Sequence, residues 1–471
     1  METEAEAVPV LVASRSCRND RKLVEFIIQQ RMLLLDTRWL LSTGWFKKDN
    51  DLALRMYERI PATFNSHTVL KLNQVIAYSE ARSERLKHAY LQRALHAYAN
   101  REDFYCMYNL WHLEEVDEIG GLLNPLYQEL YQELSRAACD RRSGIINPSP
   151  QHDVHYQHCF ANVLCKELPE CGRFLTPQRR CQRGSTVMCE RPYVRLLVAD
   201  RYFRCHYCLA HAPLVLIPCP SCSSTLYCSN TCRNRAYDEY HAMECAMLAC
   251  LRIQFTTLEH LAVRLTCHVI NMFAGQLDQL EPYVRSLLAS FTPSSHSTPY
   301  ERDAPESPCK QYARIYHLAT NRRQITRAVL TENGLRAVSL AKLLVEQNKL
   351  PAGLLPIIAE LTVRHMHIAA ANVLPLHRSD ADPAVESQNK TSTRYALVLL
   401  TTGSRLNHAC SPNLAYQLTQ NGTISFLAKH HICQGMQLTI DYRLIEGDNR
   451  SRFKCQCAKC VFERDRITHS A

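Results

Sequence analysis

The string NHACSPN, residues 407–413, places two amides, an imidazole and a thiol within seven positions. Three further thiols follow in the string FKCQCAKC: Cys455, Cys457 and Cys460. A structural zinc site takes four thiolate or imidazole ligands, so these three are one ligand short. Cys410 supplies the fourth in this interpretation, which brings Asn407 and His408 beside the loop that carries the other thiols. An amide and a ring N–H at that place could bind a polar ligand.

A second interpretation of the same string is a surface turn formed by Ser-Pro-Asn at 411–413. Such turns are common where Ser, Pro and Asn cluster. The turn explains those three residues but leaves the spacing of the four thiols unexplained. We therefore favour the zinc site.

A second group of ligands lies in the block CHYCLAHAPLVLIPCPSCSSTLYCSNTCRNRAYDEYHAMEC, residues 205–245. The eight candidate ligands are Cys205, Cys208, Cys219, Cys222, Cys228, Cys232, His241 and Cys245. Two cysteines separated by two residues can turn both sulfurs towards one ion, so the block predicts two closed tetrahedral zinc sites. A closed site keeps no open coordination position. This zinc is therefore expected to be structural and to supply folding energy that so short a block cannot obtain from a core.

The composition of the chain supports metal binding over disulfides. The 471 residues include 23 cysteines and carry a formal net charge of +10. The beginning, METEAEAVPVLVASRSC, has no signal-peptide layout, and no apolar run approaches the ~20 residues of a membrane span. We expect a reducing compartment, where clustered cysteines bind metal. Cysteines without metal spacing, such as Cys106, are expected to be small buried apolar residues.

The block at 205–245 resembles a MYND zinc finger along its whole length. The resemblance implies interleaved ligation, with one zinc held by Cys205, Cys208, Cys228 and Cys232. The other zinc would be held by Cys219, Cys222, His241 and Cys245. The sequence itself leaves sequential pairing open. MYND fingers generally bind proteins, so the resemblance implies partners that present Pro-containing peptides, corepressors among them.

The sequence around the block resembles the SET and MYND domain-containing (SMYD) protein lysine methyltransferases. NHACSPN, GMQLTIDY (435–442) and the C-x-C-x2-C tail are similar to the carboxyl half of a SET domain with its post-SET zinc loop. ECGRFLTPQRRCQRGSTVMCERPYV (170–194) is similar to the amino half. The resemblance covers about residues 165–465 and is strongest to the fourth subgroup, which carries helices in front. The implied fold is α+β: a split SET β-fold with an inserted finger and a helical insertion.

The resemblance implies an S-adenosyl-L-methionine-dependent protein-lysine N-methyltransferase that acts on histone or non-histone proteins and regulates transcription. The implied cofactors are S-adenosyl-L-methionine and three Zn²⁺. Tyr442 would be the catalytic residue, with its hydroxyl near the reacting methyl group and the lysine nitrogen. The implied cofactor contacts are Gly172, Arg173, Asn372, Asn407, His408, Tyr442 and Phe453. Phe453 would lie against the adenine ring, where an apolar aromatic fits.

Two positions depart from the family pattern. Phe174 stands at the second glycine of the usual G-x-G turn, where a side chain can hinder the approach of backbone to ligand. Ser451 stands where many members carry a tyrosine. These departures motivate an alternative function, a catalytically weak adaptor that recruits partners. Single positions also have plain structural explanations, such as a helix cap for Asn372.

The elements that position these residues follow from periodicity and composition. The front of the chain recurs at three-to-four spacing and is predicted to be helical, either as tetratricopeptide-like pairs or as an unspecific bundle. Strand-like pieces are YALVLLTT, TISFLAKH and MQLTIDY. The predicted regions are a helical region 1–155, a SET amino half 160–200, the finger 201–246, a helical insertion 247–364, a SET carboxyl half 365–445 and a post-SET loop 446–471.

Charge and composition also restrict the partners. The finger carries Asp238, Glu239 and Glu244 near its two arginines, so it is poorly suited to direct DNA binding. No membrane attachment is expected. Because no dense basic import cluster stands out, the expected location is both cytoplasm and nucleus.

Overall fold

The computed structural model of the protein describes residues 19–29, 47–60, 65–117, 131–137, 163–168, 172–289, 307–378, 394–442, 457 and 459–461, with the side chains of 114–117 excepted. Within these residues, helices surround several small sheets. The chain is therefore an α+β protein with helices in front, as the sequence predicted.

The first described elements are helical. They are α1 Asp20–Gln29, α2 Asn50–Tyr57, α3 Ser66–Tyr78, α4 Glu84–Ala99 and α5 Asp103–Asp117, followed by a helical segment at 131–137. Side-chain caps begin several of them. For example, Asn65 accepts a hydrogen bond from the backbone N–H of Thr68 at 3.0 Å, and Ser83 accepts one from Leu86 at 3.3 Å. Such caps satisfy backbone donors that a helix leaves open at its start. Helices α2 to α5 pack against one another and are called the helical front below.

The strands form five small sheets. They are β1 Val163–Leu168, β2 Gly172–Pro177, β3 Thr186–Glu190, β4 Val194–Leu197, β5 Ile217–Pro218, β6 Leu226–Tyr227, β7 Leu374–His377, β8 Arg394–Leu399, β9 Asn407–His408, β10 Leu414–Leu418, β11 Ile424–Ala428 and β12 Thr439–Ile440. The sheet orders are β1-β2, β10-β11-β3, β4-β8-β7, β5-β6 and β12-β9. Only the β9–β12 pair is parallel among these described strands. Strands that precede and follow the finger therefore share sheets, as a split β-fold requires.

Helices fill the sequence between the finger and the second group of strands. The finger itself contains α6 Asn230–Ala236, which continues through a π-helical turn at Tyr237–His241. The later helices are α7 Leu248–Ile253, α8 Thr257–Asn271, α9 Leu280–Ala289, α10 Pro308–Tyr316, α11 Arg327–Gln347 and α12 Leu355–Asn372. A capping box fixes the start of α8, because Thr256 and Glu259 each accept from the other's backbone N–H.

Two large cores hold these elements together. The strands of the split fold share one core, which includes Leu175, Val398 and Phe426. The other core joins α1, the helical front, the finger and the helical insertion. Helix α1 packs closely on α11, where a Cβ on Gly334 would lie 2.8 Å from Ile27. The finger is thus part of a continuous packed body.

The described helices and strands agree with the predicted helical front, the helical insertion and the strand-like pieces. The predicted region boundaries stay a prediction. Residues 290–306 and 379–393 lie outside the described residues. No helix in the described part of the chain is long and apolar enough to cross a membrane.

Candidate active site and zinc centres

The finger brings its eight predicted ligands into two groups. Ligand atoms within each group lie no more than 4.8 Å from one another. The first group is Cys205, Cys208, Cys228 and Cys232, and the second is Cys219, Cys222, His241 and Cys245. The pairing is therefore interleaved, as the resemblance implied, and sequential pairing is excluded.

The spacing of the ligand atoms fits zinc. The sulfurs of Cys208 and Cys232 each lie 3.6 Å from that of Cys228, and Nε2 of His241 lies 3.2 Å from the sulfur of Cys219. Zn–S bonds of about 2.3 Å in a tetrahedron place sulfurs about 3.8 Å apart. Hydrogen bonds from Cys219 and Cys245 lower the pKa of the Cys222 thiol well below its usual range. Cys222 therefore favours the thiolate form that binds metal.

The helical front holds the finger through a buried arginine. Arg93 on α4 is fully buried and donates hydrogen bonds to Oδ1 of Asn109 and Oδ1 of Asn73, both at 2.7 Å, and to the backbone carbonyl of Leu216 at 2.8 Å. The amide of Asn73 in turn donates to the carbonyls of Tyr202 and Pro213. Because a buried polar group must be hydrogen-bonded, this network fixes the finger loop against the helices.

The helical insertion holds the opposite side of the finger. Glu244, between zinc ligands His241 and Cys245, is fully buried and accepts hydrogen bonds from Nε and Nη2 of Arg264 on α8 at 2.9 and 2.7 Å. Arg264 keeps the pKa of Glu244 at about 2, against the raising effect of burial. Arg264 also donates to the backbone carbonyl of Arg195 on β4 at 2.7 Å. A zinc ligand segment is thus tied to a strand of the split fold.

A third metal group joins the string NHACSPN at residues 407–413, called the opening string, to the cysteines near residue 460. The sulfur of Cys410 lies 3.4 Å from that of Cys460, and the backbone N–H of Cys410 donates to the sulfur of Cys457 at 3.4 Å. These three thiols fit a zinc site within the same 4.8 Å limit as the finger groups. The fourth predicted ligand, Cys455, lies outside the described residues.

The second asparagine of this string, Asn413, has a structural role. Nδ2 of Asn413 donates to the carbonyl of Gln437 at 2.8 Å, and its Oδ1 accepts from the backbone N–H of Thr439 at 2.8 Å. The side-chain amide of Asn413 therefore links the string to the LTIDY segment through the kind of paired hydrogen bonds that a neighbouring strand makes. The sequence predicted only a turn at Asn413. The signal was the amide itself, which carries both a donor and an acceptor.

Tyr442 and His408 meet directly behind this junction. The backbone N–H of Tyr442 donates to Nδ1 of His408 at 3.0 Å, and the two rings lie 5.4 Å apart. The Tyr442 hydroxyl donates to the carbonyl of Leu406. Nε2 of His408 lies 3.3 Å from the sulfur of Cys410. A continuous set of contacts thus links the candidate catalytic tyrosine to the third metal group, and Asn407 lies beside it on β9.

Three other predicted contacts lie near a single loop. Arg173 donates to the carbonyl of His317 at 2.6 Å, and Nδ2 of Asn372 donates to that of Ala319 at 2.7 Å. The backbone carbonyl of Asn372 accepts from Ser404, close to the opening string. Gly172 has φ of +65°, and among the described residues nothing lies within 4 Å of the place of a Cβ.

Asn372 is the last residue of α12, and its Nδ2 also donates to the carbonyl of Ile368. This position agrees with a structural role at the helix end. Phe174 is buried within β2. Phe453 and Ser451 lie outside the described residues, and their roles stay predictions.

No pattern in the sequence pointed to Glu190. Its buried carboxylate accepts from the backbone N–H groups of Thr401, Thr402 and Gly403, just before the opening string.

Comparison with known proteins agrees with this geometry. Residues 205–245 match the family model of the MYND finger. Protein-lysine N-methyltransferase SMYD4 of Mus musculus is 27% identical over 321 residues, which are 57% of this chain and 39% of the mouse protein. The chain is therefore similar to the SET and MYND domain-containing proteins. SMYD4 of Danio rerio is 24% identical over 303 residues, which are 53% of this chain and 38% of that protein.

A third relative, SMYD4 of Homo sapiens, is 42% identical over 72 residues, which are 15% of this chain and 8% of the human protein. The chain therefore matches less than half of the length of each of these relatives. Its activity, substrates and partners are taken up below as proposals.

Proposed function

We propose that this protein is a protein-lysine N-methyltransferase that uses S-adenosyl-L-methionine and acts on histone or non-histone proteins. The observation that carries the proposal is the contact of Tyr442 with His408 and with the Leu406 carbonyl, next to the third metal group. The names of its relatives support the same activity. S-adenosyl-L-methionine would supply a methyl group on a positively charged sulfur.

The residues around Tyr442 suit the binding of such a cofactor. Among the described residues, Gly172 has open space on the side where a Cβ would lie, and its positive φ is one that glycine adopts without strain. Asn407 and His408 place an amide and a ring at β9. The third metal group, when it holds zinc, would join Cys410 to Cys457 and Cys460. These groups would hold the nucleoside, with Arg173 and Asn372 setting the neighbouring loop.

The contribution of this chain to methyl transfer would be orientation. Because the Tyr442 hydroxyl donates its hydrogen to the Leu406 carbonyl, its oxygen keeps lone pairs that can accept from a lysine N–H. The cofactor, when bound, would supply the methyl carbon to the neutral lysine nitrogen, and the electron pair of the broken carbon–sulfur bond would stay on sulfur. Holding the three atoms in line can supply about 7–11 kcal/mol of the barrier.

Tyr442→Phe tests the proposal. With radiolabelled cofactor and a panel of protein substrates, we expect the variant to lose about 100-fold or more in methyl transfer, because an oriented oxygen near the reacting atoms is removed. Tyr416→Phe is the matched control, since its hydroxyl bonds a carbonyl elsewhere in the split fold, that of Pro375 at 2.8 Å. Absence of transfer by the unmodified protein, or equal transfer by Tyr442→Phe, would contradict the proposal.

The buried Phe174 favours a second candidate function, that of an adaptor with little catalysis. Its side chain occupies the place of the second glycine in the family turn. In this alternative the finger recruits Pro-containing peptides or corepressors, and the split fold serves as scaffold. Calorimetry with S-adenosyl-L-methionine separates the two functions, because an adaptor alone has no reason to bind it.

A further inference from the structure

The finger is covered on three sides by the rest of the chain. The helical front covers the loop before β5, and α8 covers the segment around Glu244. On the third side the β10–β11 hairpin packs on the first zinc group, since a Cβ on Gly422 would lie 3.3 Å from that of Cys208. The α6 side remains, where Thr231 and Tyr237 are exposed. Among the described residues, the α6 side is therefore where a partner of the finger could approach.

A small basic cavity lies on this open side. It is called the arginine notch below and is lined by Arg191, Arg195, Tyr207, Thr231, Arg235 and Asn421, beside the sulfur ligands Cys208 and Cys232. Its volume is about 10 Å³, close to the space that one water needs. The exposed Thr231 and Asn421 form part of its rim. The notch can therefore admit one small polar group, while the rest of the molecule that carries this group stays outside.

Arg195 is the central group of the notch. It is 4% exposed, and its guanidinium stacks on the ring of Tyr207, 4.2 Å from the ring centroid. Within the described residues no carbonyl or carboxylate accepts a hydrogen bond from this guanidinium, although the chain gives three such bonds to the buried Arg93. A buried cation with unused N–H groups is costly unless an acceptor meets it. The side chain is thus prepared for an acceptor that comes from outside.

The neighbouring groups supply negative charge but no acceptor for Arg195. Glu239 and Cys208 lie near enough for their charge to favour the guanidinium. Glu239, however, accepts from the Tyr207 hydroxyl at 2.5 Å, and that same hydroxyl accepts from Arg191 at 2.8 Å. Four thiolates around Zn²⁺ direct their lone pairs to the metal. The charges in the notch are therefore partly balanced, whereas the hydrogen-bond donors of Arg195 are not used.

We propose that the arginine notch binds a carboxylate side chain of an acidic peptide segment in a protein partner. A carboxylate oxygen is about the size of the water that the notch admits, and it can accept a charge-assisted hydrogen bond from a guanidinium. Arg235 and Arg191 add attraction at the entrance. This proposal rests on the proposed protein-binding role of the finger and is independent of methyl transfer.

Fluorescence anisotropy with the full-length, zinc-loaded protein tests the proposal. The probes are two labelled peptides, Gly-Glu-Gly-Glu-Gly and its Gln counterpart. We expect the Glu peptide to bind about tenfold tighter than the Gln peptide at low salt, and this preference to shrink as salt rises. Arg195→Gln and Arg235→Gln should each abolish most of the preference. The Arg235 variant keeps the test valid if the buried Arg195 variant does not fold.

Arg233→Gln is the matched control. It removes the same charge from the same helix, but two helical residues are about 200° apart and so face different sides. Arg233 also lies near enough to His112 of the helical front to affect its charge. We expect this variant to keep the Glu preference within about twofold.

Three outcomes would overturn the proposal. One is equal binding of the two peptides. Another is binding of a phosphoserine peptide without binding of the Glu peptide. The third is that Arg195→Gln and Arg235→Gln lose zinc but keep the preference for the Glu peptide over the Gln peptide. The arginines would then only balance the charge of the thiolates. A Pro-containing peptide that still bound in these cases would leave the protein-binding role of the finger standing.

Discussion

The two zinc groups of the finger and the third group near Tyr442 are built in opposite ways. All ligands of the finger groups come from residues 205–245, and seven of the eight are buried. The third group joins Cys410 to residues 47 and 50 positions later, and its described ligands are all half-buried. The finger is held on three sides by packed elements, whereas the third group lies beside His408, which contacts Tyr442. This contrast indicates that the finger zincs stabilise the fold and the third zinc serves the candidate active site.

The sharpest way to break this comparison is to remove one ligand from each region. Cys228→Ala should lose a zinc and most of its folded structure, because structural zinc contributes folding energy of about 10–16 kcal/mol in isolated fingers. Cys410→Ala should also lose one zinc but keep its thermal transition within a few degrees, with affinity for S-adenosyl-L-methionine lowered about tenfold or more. Metal analysis, circular dichroism and calorimetry measure the three quantities.

Cys106→Ala is the control for both variants, since Cys106 is fully buried in the helical front and belongs to neither metal group. It should keep three zincs and the cofactor affinity. If Cys228→Ala and Cys410→Ala melted alike, the proposed division between fold and active site would be wrong.

The same contrast shows what the sequence could predict. Ligands such as Cys205 and Cys208 stand two residues apart, so their shared ion followed from spacing alone. The position of Cys410 beside the tail was reachable by counting thiols, because zinc requires four ligands. By comparison, Asn413, Glu190 and Arg93 act on partners far away in the chain, and no local pattern marks them. Their roles depend on tertiary packing.

Arg93 offers a second test of how firmly the finger is built in. Arg93→Met removes three hydrogen bonds and leaves the acceptors on Asn73, Asn109 and Leu216 buried. We expect a loss of about 3 kcal/mol in the free energy of unfolding by urea, because each unsatisfied buried group costs about 1–3 kcal/mol and methionine packing returns part of this. The exposed Arg55→Met should change stability by less than about 0.5 kcal/mol. Equal losses in the two variants would show that the helical front is not fastened to the finger through this network.

Acid should affect the packed helical side through a buried histidine. His365 on α12 is fully buried, and its two ring nitrogens lie 2.8 Å from the hydroxyls of Thr266 and Tyr312. Burial, with a smaller effect from Arg364, lowers the pKa of His365 to about 3. The unfolded chain has a histidine pKa near 6.5, so between pH 6.5 and 3 only the unfolded state binds this proton. Stability must therefore fall as pH falls through that range.

From pH 7 to pH 5 this one group should remove about 2 kcal/mol from the free energy of unfolding. His365→Gln keeps hydrogen-bonding capacity but cannot titrate, so its urea stability should fall less over the same interval, by about 2 kcal/mol. The exposed His67→Gln is the control and should follow the unmodified protein. Both pH values are measured with zinc present, and metal content is checked at each, because thiolates also bind protons as zinc leaves. Identical pH dependence in His365→Gln and the unmodified protein would mean that His365 does not carry the acid sensitivity of the packed side.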